Sequence, residues 1–363
     1  MGKKFLFAST ALGALMALSL PAQADYWWTT TKISGRMYWD ITNISHDRND
    51  VEQSDEGTSF DIKRFYVGID HDFDDMFSAN VTTDFQYVSA ESLTQVYIKK
   101  AYLQAKISKA FIIQVGSTDL PWVPFVEGVY GYRHIENTLI DRTKYGTSAD
   151  WGLHVKGELA DGLIAYQVSA INGAGYKNPR RTDNIDLEGR VNLNYKGFIA
   201  AIGGYTGKLG IAHGAADFNT ASRFDALVAY TDKEIRVGVE YFHANDFFSV
   251  TANRTDEADG YSVFASYQFD PQWSVFGKYE WVQPESSSAA LFGTSGPNEH
   301  MRDGYFNIGV QYSPAKIVDI ALVYKHDHGD GGFLSTSNGT IGGLGGGTDG
   351  DYDEIGIWGQ LRW

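Results

Sequence analysis

Apolar and polar side chains alternate with a period of two along most of the chain beyond residue 30. In the stretch 185–195, for example, the odd positions are mostly apolar, and Asp186, Glu188, Arg190 and Asn192 fall between them. Because successive side chains of a strand point to opposite faces, this alternation predicts strands with one apolar face and one polar face. Almost no stretch shows the longer period of an amphipathic helix.

The pattern predicts sixteen strands, with boundaries uncertain by two to four residues. We expect them near 30–44, 58–73, 76–89, 93–108, 110–118, 148–160, 162–172, 184–196, 197–208, 220–232, 233–245, 258–270, 272–283, 302–313, 315–327 and 351–363. Tight links such as Asp161-Gly162 and Lys196-Gly197 alternate with longer connections. An even number of amphipathic strands with short turns at one end and long loops at the other is typical of a transmembrane antiparallel β-barrel.

The first residues form a targeting segment. Lys3 and Lys4 precede an apolar stretch over 5–20, and Ala22-Gln-Ala24 provides the small residues of a cleavage site. We therefore expect a cleaved signal peptide over 1–24 and a barrel domain over 25–363; a retained membrane anchor is the alternative. Beyond this segment, no apolar run approaches the roughly 18 residues of a spanning helix.

Composition excludes several classes of function. The chain has no Cys, which excludes disulfides, thiolate zinc sites and a cysteine nucleophile. Its net charge of -15 argues against nucleic acid as a partner. Hydrolase motifs are absent, and we expect no enzyme activity, no cofactor and no metal. Residues near the last long loop, His326, Asp327, His328, Asp330, Asp349, Asp351 and Asp353, have the chemistry of a calcium site, but a solvated loop is the simpler interpretation.

The third long connection, over 119–147, is too apolar for a solvated surface loop. It contains Trp122, Phe125, Tyr130, Tyr132 and Ile140 among other large apolar residues. We expect this loop to fold into the barrel lumen and to narrow it; packing over the barrel mouth or against a neighbouring subunit is the alternative.

Charged residues then define a candidate pore. The residues expected at the constriction are Glu127, Arg133, His134, Glu136, Asp141, Arg142 and Lys144. The bases expected along the strand lining are Arg36, Arg64, Lys100, Lys106, Arg190, Arg236 and Lys278. Acids of similar number alternate with the lining bases, so we expect the constriction to set charge selectivity, with its bases favouring anions.

Several segments resemble known porins. The predicted signal, the strand number, the third loop and the aromatic Trp363 after Ile355, Ile357 and Leu361 resemble trimeric bacterial porins. The segment 60–69 (Phe-Asp-Ile-Lys-Arg-Phe-Tyr-Val-Gly-Ile) resembles the second-strand motif of the phosphate-selective porin O and P family. The segments 100–103, 115–122 and 170–175 are similar to later positions of that family. This resemblance implies a homotrimer, and an assembly signal at Trp363 that the barrel-assembly machinery recognises.

These features together indicate a function. We expect a porin of the bacterial outer membrane, surrounded by lipid and lipopolysaccharide, through which small hydrophilic solutes and ions diffuse passively. The alternative is an outer-membrane barrel that acts as an enzyme or as a binding or adhesion protein through its loops.

Overall fold

The computed structural model describes residues 30–48, 51–52, 56–88, 93–214, 217–251, 255–286, 301–330 and 349–363. The predicted signal peptide over 1–24 lies outside the described residues. Within the described ranges, no helix is both long and apolar enough to cross a membrane.

Strands make up most of the described chain. Its sixteen long strands are β1 (Thr31–Arg48), β2 (Gly57–Asp72), β3 (Phe77–Val88), β4 (Leu93–Ser108), β5 (Phe111–Asp119), β6 (Ala149–Leu159), β7 (Ile164–Ile171), β8 (Asp186–Tyr195), β9 (Phe198–Gly207), β10 (Ala221–Thr231), β11 (Ile235–Asn245), β12 (Asp256–Asp270), β13 (Trp273–Ser286), β14 (Arg302–Ala315), β15 (Val318–Asp330) and β16 (Gly350–Arg362). The pair Val51–Glu52 extends the first hairpin. Two helices, α1 (Val123–Tyr130) and α2 (Leu139–Arg142), lie between β5 and β6, and a 3-10 turn (Ala160–Gly162) follows β6.

The strands form one closed antiparallel sheet. Each strand pairs with the next along the chain, and β1 also pairs with β16, from Arg36 opposite Arg362 to Arg48 opposite Gly350. The predicted sixteen-stranded antiparallel barrel is therefore confirmed. Closure leaves the long strands with no unpaired sheet edge, which a barrel in a hydrocarbon layer requires.

The two faces of the sheet differ as the alternation predicts. On β8, Leu187 and Leu193 are 48% and 50% exposed, whereas Asp186 and Glu188 are 1% and 3% exposed. A soluble sandwich would bury the apolar face, but here the apolar face is outside and the polar face is inside. This inversion suits a barrel whose outer wall contacts lipid.

Aromatic side chains border the outer apolar band at both ends. Towards the long loops, the rings of Tyr241, Tyr261 and Trp281 follow one another across three strands, with centroids 4.9 and 6.0 Å apart. Towards the short turns, Trp273 lies 4.7 Å from Tyr312. Such girdles mark the two polar interfaces of a bilayer.

Candidate functional site: a polar cavity beside the β5–β6 segment

The connection between β5 and β6, residues 120–148, is called the β5–β6 segment below. Most of its large apolar side chains are buried; Trp122, Leu139, Ile140 and Tyr145 have no exposed surface, and Phe125 is partly buried. They form one cluster with the inward side chains of strands β9–β13, β15 and β16, which are Ala201, Leu227, Ala229, Phe242, Ala244, Ala258, Phe264, Phe276, Val282, Ala321, Val323 and Trp358. The segment thus packs along the wall formed by the later strands, and its apolar composition is explained by this burial.

Helix α1 has local signals at both ends. Pro124 stands in its first turn, where the missing N–H costs nothing, and Gly131 ends it in a left-handed conformation with φ of 84°. The guanidinium of Arg236 on β11 donates to the carbonyls of Gly128 and Val129 at 3.1 and 3.0 Å. A cation at the carboxyl end of a helix satisfies orphan carbonyls and complements the helix dipole. Arg236, which we expected in the pore lining, therefore holds the segment.

The start of the segment is fixed in the same way. The indole N–H of Trp122 donates to Glu240 at 2.8 Å, and its backbone N–H donates to Glu188 at 3.2 Å. Arg190 donates to the carbonyl of Pro121 at 2.5 Å, and its guanidinium lies 4.0 Å from the ring centre of Phe125. Arg190 is thus a second predicted lining base that contacts the segment.

Arg142 at the end of α2 has no exposed surface and contacts three acids. Its guanidinium donates to Glu280 at 2.5 Å, to Asp303 at 2.7 Å and to Asp327 at 3.0 Å. The guanidinium also lies 4.6 Å from the ring centre of Tyr305. These partners belong to β13, β14 and β15, so one side chain joins the segment to three strands.

Two buried lysines extend this network. Lys278 donates to the carbonyl of Asn137 at 2.5 Å and to Glu280 at 2.8 Å. Lys325 lies 3.3 Å from Glu136 and 3.3 Å from Glu354. The predicted constriction residue Glu136 and the predicted lining base Lys278 therefore lie inside the packed contact between segment and wall.

His134 is buried and hydrogen-bonded on both ring nitrogens. Its Nε2 lies 3.0 Å from the amide oxygen of Gln311, and its Nδ1 lies 3.2 Å from the amide nitrogen of Gln360. This arrangement suits a neutral imidazole that donates once and accepts once. Burial lowers the pKa of His134 to about 4.

The other charged residues of the segment are more accessible. Arg133 donates to Glu127 at 2.7 Å and approaches Asp141 at 3.4 Å. Burial raises the pKa of Asp141, with the nearby Arg133 acting in the opposite direction. Lys144 is exposed. The predicted constriction residues thus separate into a partly accessible group and a fully buried one.

A polar cavity of about 690 Å³ lies between the segment and the first strands. Its charged lining consists of Arg36, Lys99, Lys100, Arg133 and Arg362 against Asp70, Asp119 and Glu127. Tyr38, Tyr66, Tyr102 and the buried His134 also line it. Five bases against three acids give this cavity an excess of positive charge, although the chain as a whole is acidic.

Most of the charges in the cavity are paired. Lys100 contacts Asp119 at 2.6 Å, and Arg362 contacts Asp319 at 2.8 Å. Among the described residues, neither Arg36 nor Lys99 has a carboxylate within 4.0 Å. Arg36 donates to the hydroxyl of Tyr38 at 3.2 Å, and the Lys99 ammonium lies 4.9 Å from the ring centre of Tyr66. Arg36 and Lys99 are thus the lining bases without a carboxylate contact, while the lining acid Asp70 accepts a hydrogen bond from Asn80 at 2.7 Å and, among the described residues, forms no salt bridge.

Strict alternation did not place Lys99 on the inward face, because β4 contains a bulge. Thr82 pairs with Lys100, but Thr83 pairs with Ile98, so Lys99 is the extra residue. A second bulge in β2 leaves Lys63 as the extra residue between partners of Tyr38 and Trp39. Both lysines are buried on the polar face beside their basic neighbours. A bulge lets two consecutive residues deviate from the alternation of the pleat.

The remaining predicted lining bases are at different depths. Arg64 donates to the hydroxyl of Tyr97 at 3.2 Å and approaches Asp84 at 3.4 Å. Lys106 is exposed near the short turn that follows β4.

Trp363, the residue expected to be the assembly signal, pairs through its backbone with Gly35 on β1.

The histidine and aspartate residues that we considered as a calcium site near the last long loop point to both faces of the sheet. His326, Asp327 and His328 lie in β15, not in a solvated loop. Asp327 points inward to Arg142, whereas His326 pairs with Asp353 at 3.0 Å and His328 with Asp351 at 2.6 Å. The strand ends at Asp330, three residues beyond the expected end at 327, so the prediction of a solvated loop was wrong for His328 and Asp330, whereas His326 and Asp327 fall within the strand expected over 315–327.

Neither a protein-family model nor a curated protein matches the sequence. Solved structures match the fold. The anion-selective porin from Comamonas acidovorans superposes with a TM-score of 0.64 at 10% identity, covering 92% of this chain and 99% of that one. The outer membrane channel DcaP of Acinetobacter baumannii gives 0.62 at 13% identity, covering 92% and 97%. A loop L8 deletion mutant of OmpT, an outer membrane protein of Vibrio cholerae, gives 0.62 at 14% identity, covering 92% and 99%.

At these identities the likeness concerns the fold. The chain has the β-barrel fold of outer-membrane porins. The narrower resemblance to the phosphate-selective porin O and P family stays a prediction.

Proposed function

We propose that this chain is a porin of the bacterial outer membrane that forms a water-filled channel for small hydrophilic solutes and ions. The porin fold, the apolar outer wall and the two aromatic bands support this location. A sixteen-stranded barrel is wide enough that wall side chains alone do not fill it, so a channel remains.

The β5–β6 segment forms the constriction in this proposal. Its contacts with strands β9–β16 support a position inside the barrel, held by Arg142, Arg190, Arg236, Lys278 and Lys325. The cavity between the segment and the first strands is then the narrow part of the solute path, and Glu127, Arg133 and His134 bound it.

The channel prefers anions in this proposal, and the observation that carries this preference is the pair of bases without a carboxylate partner, Arg36 and Lys99. Charges that are not compensated nearby act on a passing ion, and low-dielectric walls strengthen their field. Phosphate is the anion to compare first with chloride, given the resemblance to phosphate-selective porins.

Reversal potentials in a potassium chloride gradient across a planar bilayer test this preference. The double variant Arg36→Gln and Lys99→Gln removes two uncompensated charges, and we expect its chloride-to-potassium permeability ratio to fall at least twofold. The matched control, Lys100→Gln with Asp119→Asn, removes a paired base and acid, and we expect its ratio to stay close to that of the wild type. A wild-type channel that prefers potassium, or a double variant that behaves like the control, would contradict the proposal.

The assembly state forms part of the same proposal. We expect a homotrimer within outer-membrane lipid and lipopolysaccharide, assembled by the barrel-assembly machinery through the strand that leads to Trp363. Native mass measurement in mild detergent tests the trimer, and a monomer at every detergent concentration would contradict it.

A further inference from the structure

A group of one histidine and two carboxylates lies on the outer face of the barrel, away from the channel. His243 on β11 stands directly opposite Asp259 on β12, and Glu257 lies two residues before Asp259. All three share the outward face with the exposed Val239 and Tyr261. Strands β11 and β12 are joined by a long connection, so the group lies near the long-loop end of the barrel.

The three side chains converge. One ligand atom from each lies within 4.8 Å of the others. The Nδ1 atom of His243 is 3.2 Å from Asp259, and its Nε2 atom is 3.7 Å from Glu257. The side chains of His243, Asp259 and Glu257 are 32%, 43% and 54% exposed, so ions in solution reach them without any rearrangement of the barrel.

Neighbouring groups hold this arrangement in place. The hydroxyl of Tyr241 donates to Asp259 at 2.6 Å, and the side-chain amide of Asn245 lies 3.0 Å from His243 Nε2. Tyr241 also belongs to the aromatic band near the long loops, next to Tyr261. The group is therefore positioned by the polar interface that this band marks.

The two carboxylates give this group a negative charge that a bound cation would neutralise. Glu257 and Asp259 lie on one face of one strand, and a carboxylate oxygen of each lies within 4.8 Å of the other, where like charges repel. Within the described part of the chain, the only ion-pairing partner of either carboxylate is His243. No Lys or Arg among the described residues forms a salt bridge with either carboxylate.

We propose that His243, Glu257 and Asp259 bind a divalent transition-metal cation, of which Zn²⁺ is the best match. Imidazole nitrogen favours Zn²⁺ and its neighbours over calcium and magnesium, which prefer oxygen ligands alone. Three protein ligands leave further coordination positions open, as in zinc sites that also bind water or an external ligand. The site is independent of the channel, because none of its residues lines the cavity.

Titration calorimetry of the full-length protein in detergent, stripped of metal by a chelator, tests the site with ZnCl₂. A background with His326→Ala and His328→Ala removes two other outward histidines that lie beside carboxylates. We expect His243→Ala in this background to lose one equivalent of Zn²⁺, and Asp259→Asn to weaken its binding at least tenfold. The control His213→Ala removes an exposed histidine that lies 3.9 Å from a single carboxylate, and we expect no change in stoichiometry.

Electron paramagnetic resonance with Cu²⁺ gives a second measurement. The background protein should show nitrogen hyperfine coupling from imidazole, and His243→Ala should lose this coupling while keeping the same reversal potential. Equal Zn²⁺ stoichiometry and affinity in the background protein and in His243→Ala would overturn the proposal. Because conduction is measured separately, failure of the metal site and failure of the channel are distinguishable.

Discussion

Gly35 and Trp363 close the barrel by exchanging backbone hydrogen bonds. The N–H of Gly35 donates to the Trp363 carbonyl at 3.0 Å, and the N–H of Trp363 donates to the Gly35 carbonyl at 3.1 Å. The indole ring lies directly over Gly35, so that a Cβ atom there would be 1.9 Å from the ring, and its centroid is 5.7 Å from that of Phe65. Only glycine leaves room for the indole at this seam.

We therefore predict that Gly35→Ala weakens closure of the barrel. The added methyl group forces the indole off its contact with Phe65, and overpacking of this kind costs about 1–3 kcal/mol. The measurement is the temperature at which the folded band disappears in a gel-shift assay with detergent. Gly304→Ala is the control, because a Cβ atom at that strand position meets nothing within 4 Å. Equal transition temperatures for the two variants would show that the contact does not contribute.

The alternation of apolar positions predicted the strands well, and a shift in its phase marks the bulges in β2 and β4. In β2 the outward apolar positions run through Phe60 and Ile62 and then resume at Phe65, three residues later instead of two. In β4 the same change of phase occurs between Ile98 and Ala101. Each change coincides with two consecutive bases. A search for such a phase change would have identified Lys63 and Lys99 as inward residues.

The partners of the β5–β6 segment could not be predicted in this way. Its apolar composition indicates burial, but Arg142 meets its acids across more than a hundred residues of chain, on three different strands. Periodicity assigns a face to a side chain and says nothing about which distant side chain it contacts. We expected four bases along the open channel or at its constriction, but in the structure they contact the β5–β6 segment or anchor it to the strands. These bases are Arg142, Arg190, Arg236 and Lys278.

We predict that Arg142→Met loosens the segment. The substitution leaves Glu280, Asp303 and Asp327 without the guanidinium in a fully buried position, and breaking a buried ion pair from one side costs about 3–5 kcal/mol. We expect a lower unfolding temperature and larger fluctuations of the single-channel current. The control Lys144→Met removes an exposed base of the same segment, and an identical effect of both variants would refute the anchoring role of Arg142.

The pH dependence of selectivity gives a further prediction. Burial lowers the pKa of His134 to about 4, so the imidazole gains its proton only as the pH falls towards that value. An ordinary histidine would become charged as the pH falls through about 6.5. We therefore expect wild type and His134→Asn to have the same reversal potential from about pH 8 to about pH 5.5. A rise in anion preference near pH 6.5 in the wild type that the variant lacks would contradict a neutral His134.

Cysteine labelling tests whether ions pass through the cavity. Thr82 on β3 lines the cavity, whereas the next residue, Thr83, points to the opposite face of the sheet. Because the natural chain has no Cys, a single introduced cysteine reports without background. We expect Thr82→Cys to react with a water-soluble cationic thiosulfonate, since the cavity is hydrated and open to small solutes. Reaction then adds bulk and one positive charge at the constriction, which lowers the single-channel conductance and moves the reversal potential further towards chloride. Thr83→Cys, the matched control, faces the membrane side, and the same reagent should leave its conductance and reversal potential unchanged. If the reagent alters both variants alike, or neither, ions cross the barrel by a route other than this cavity.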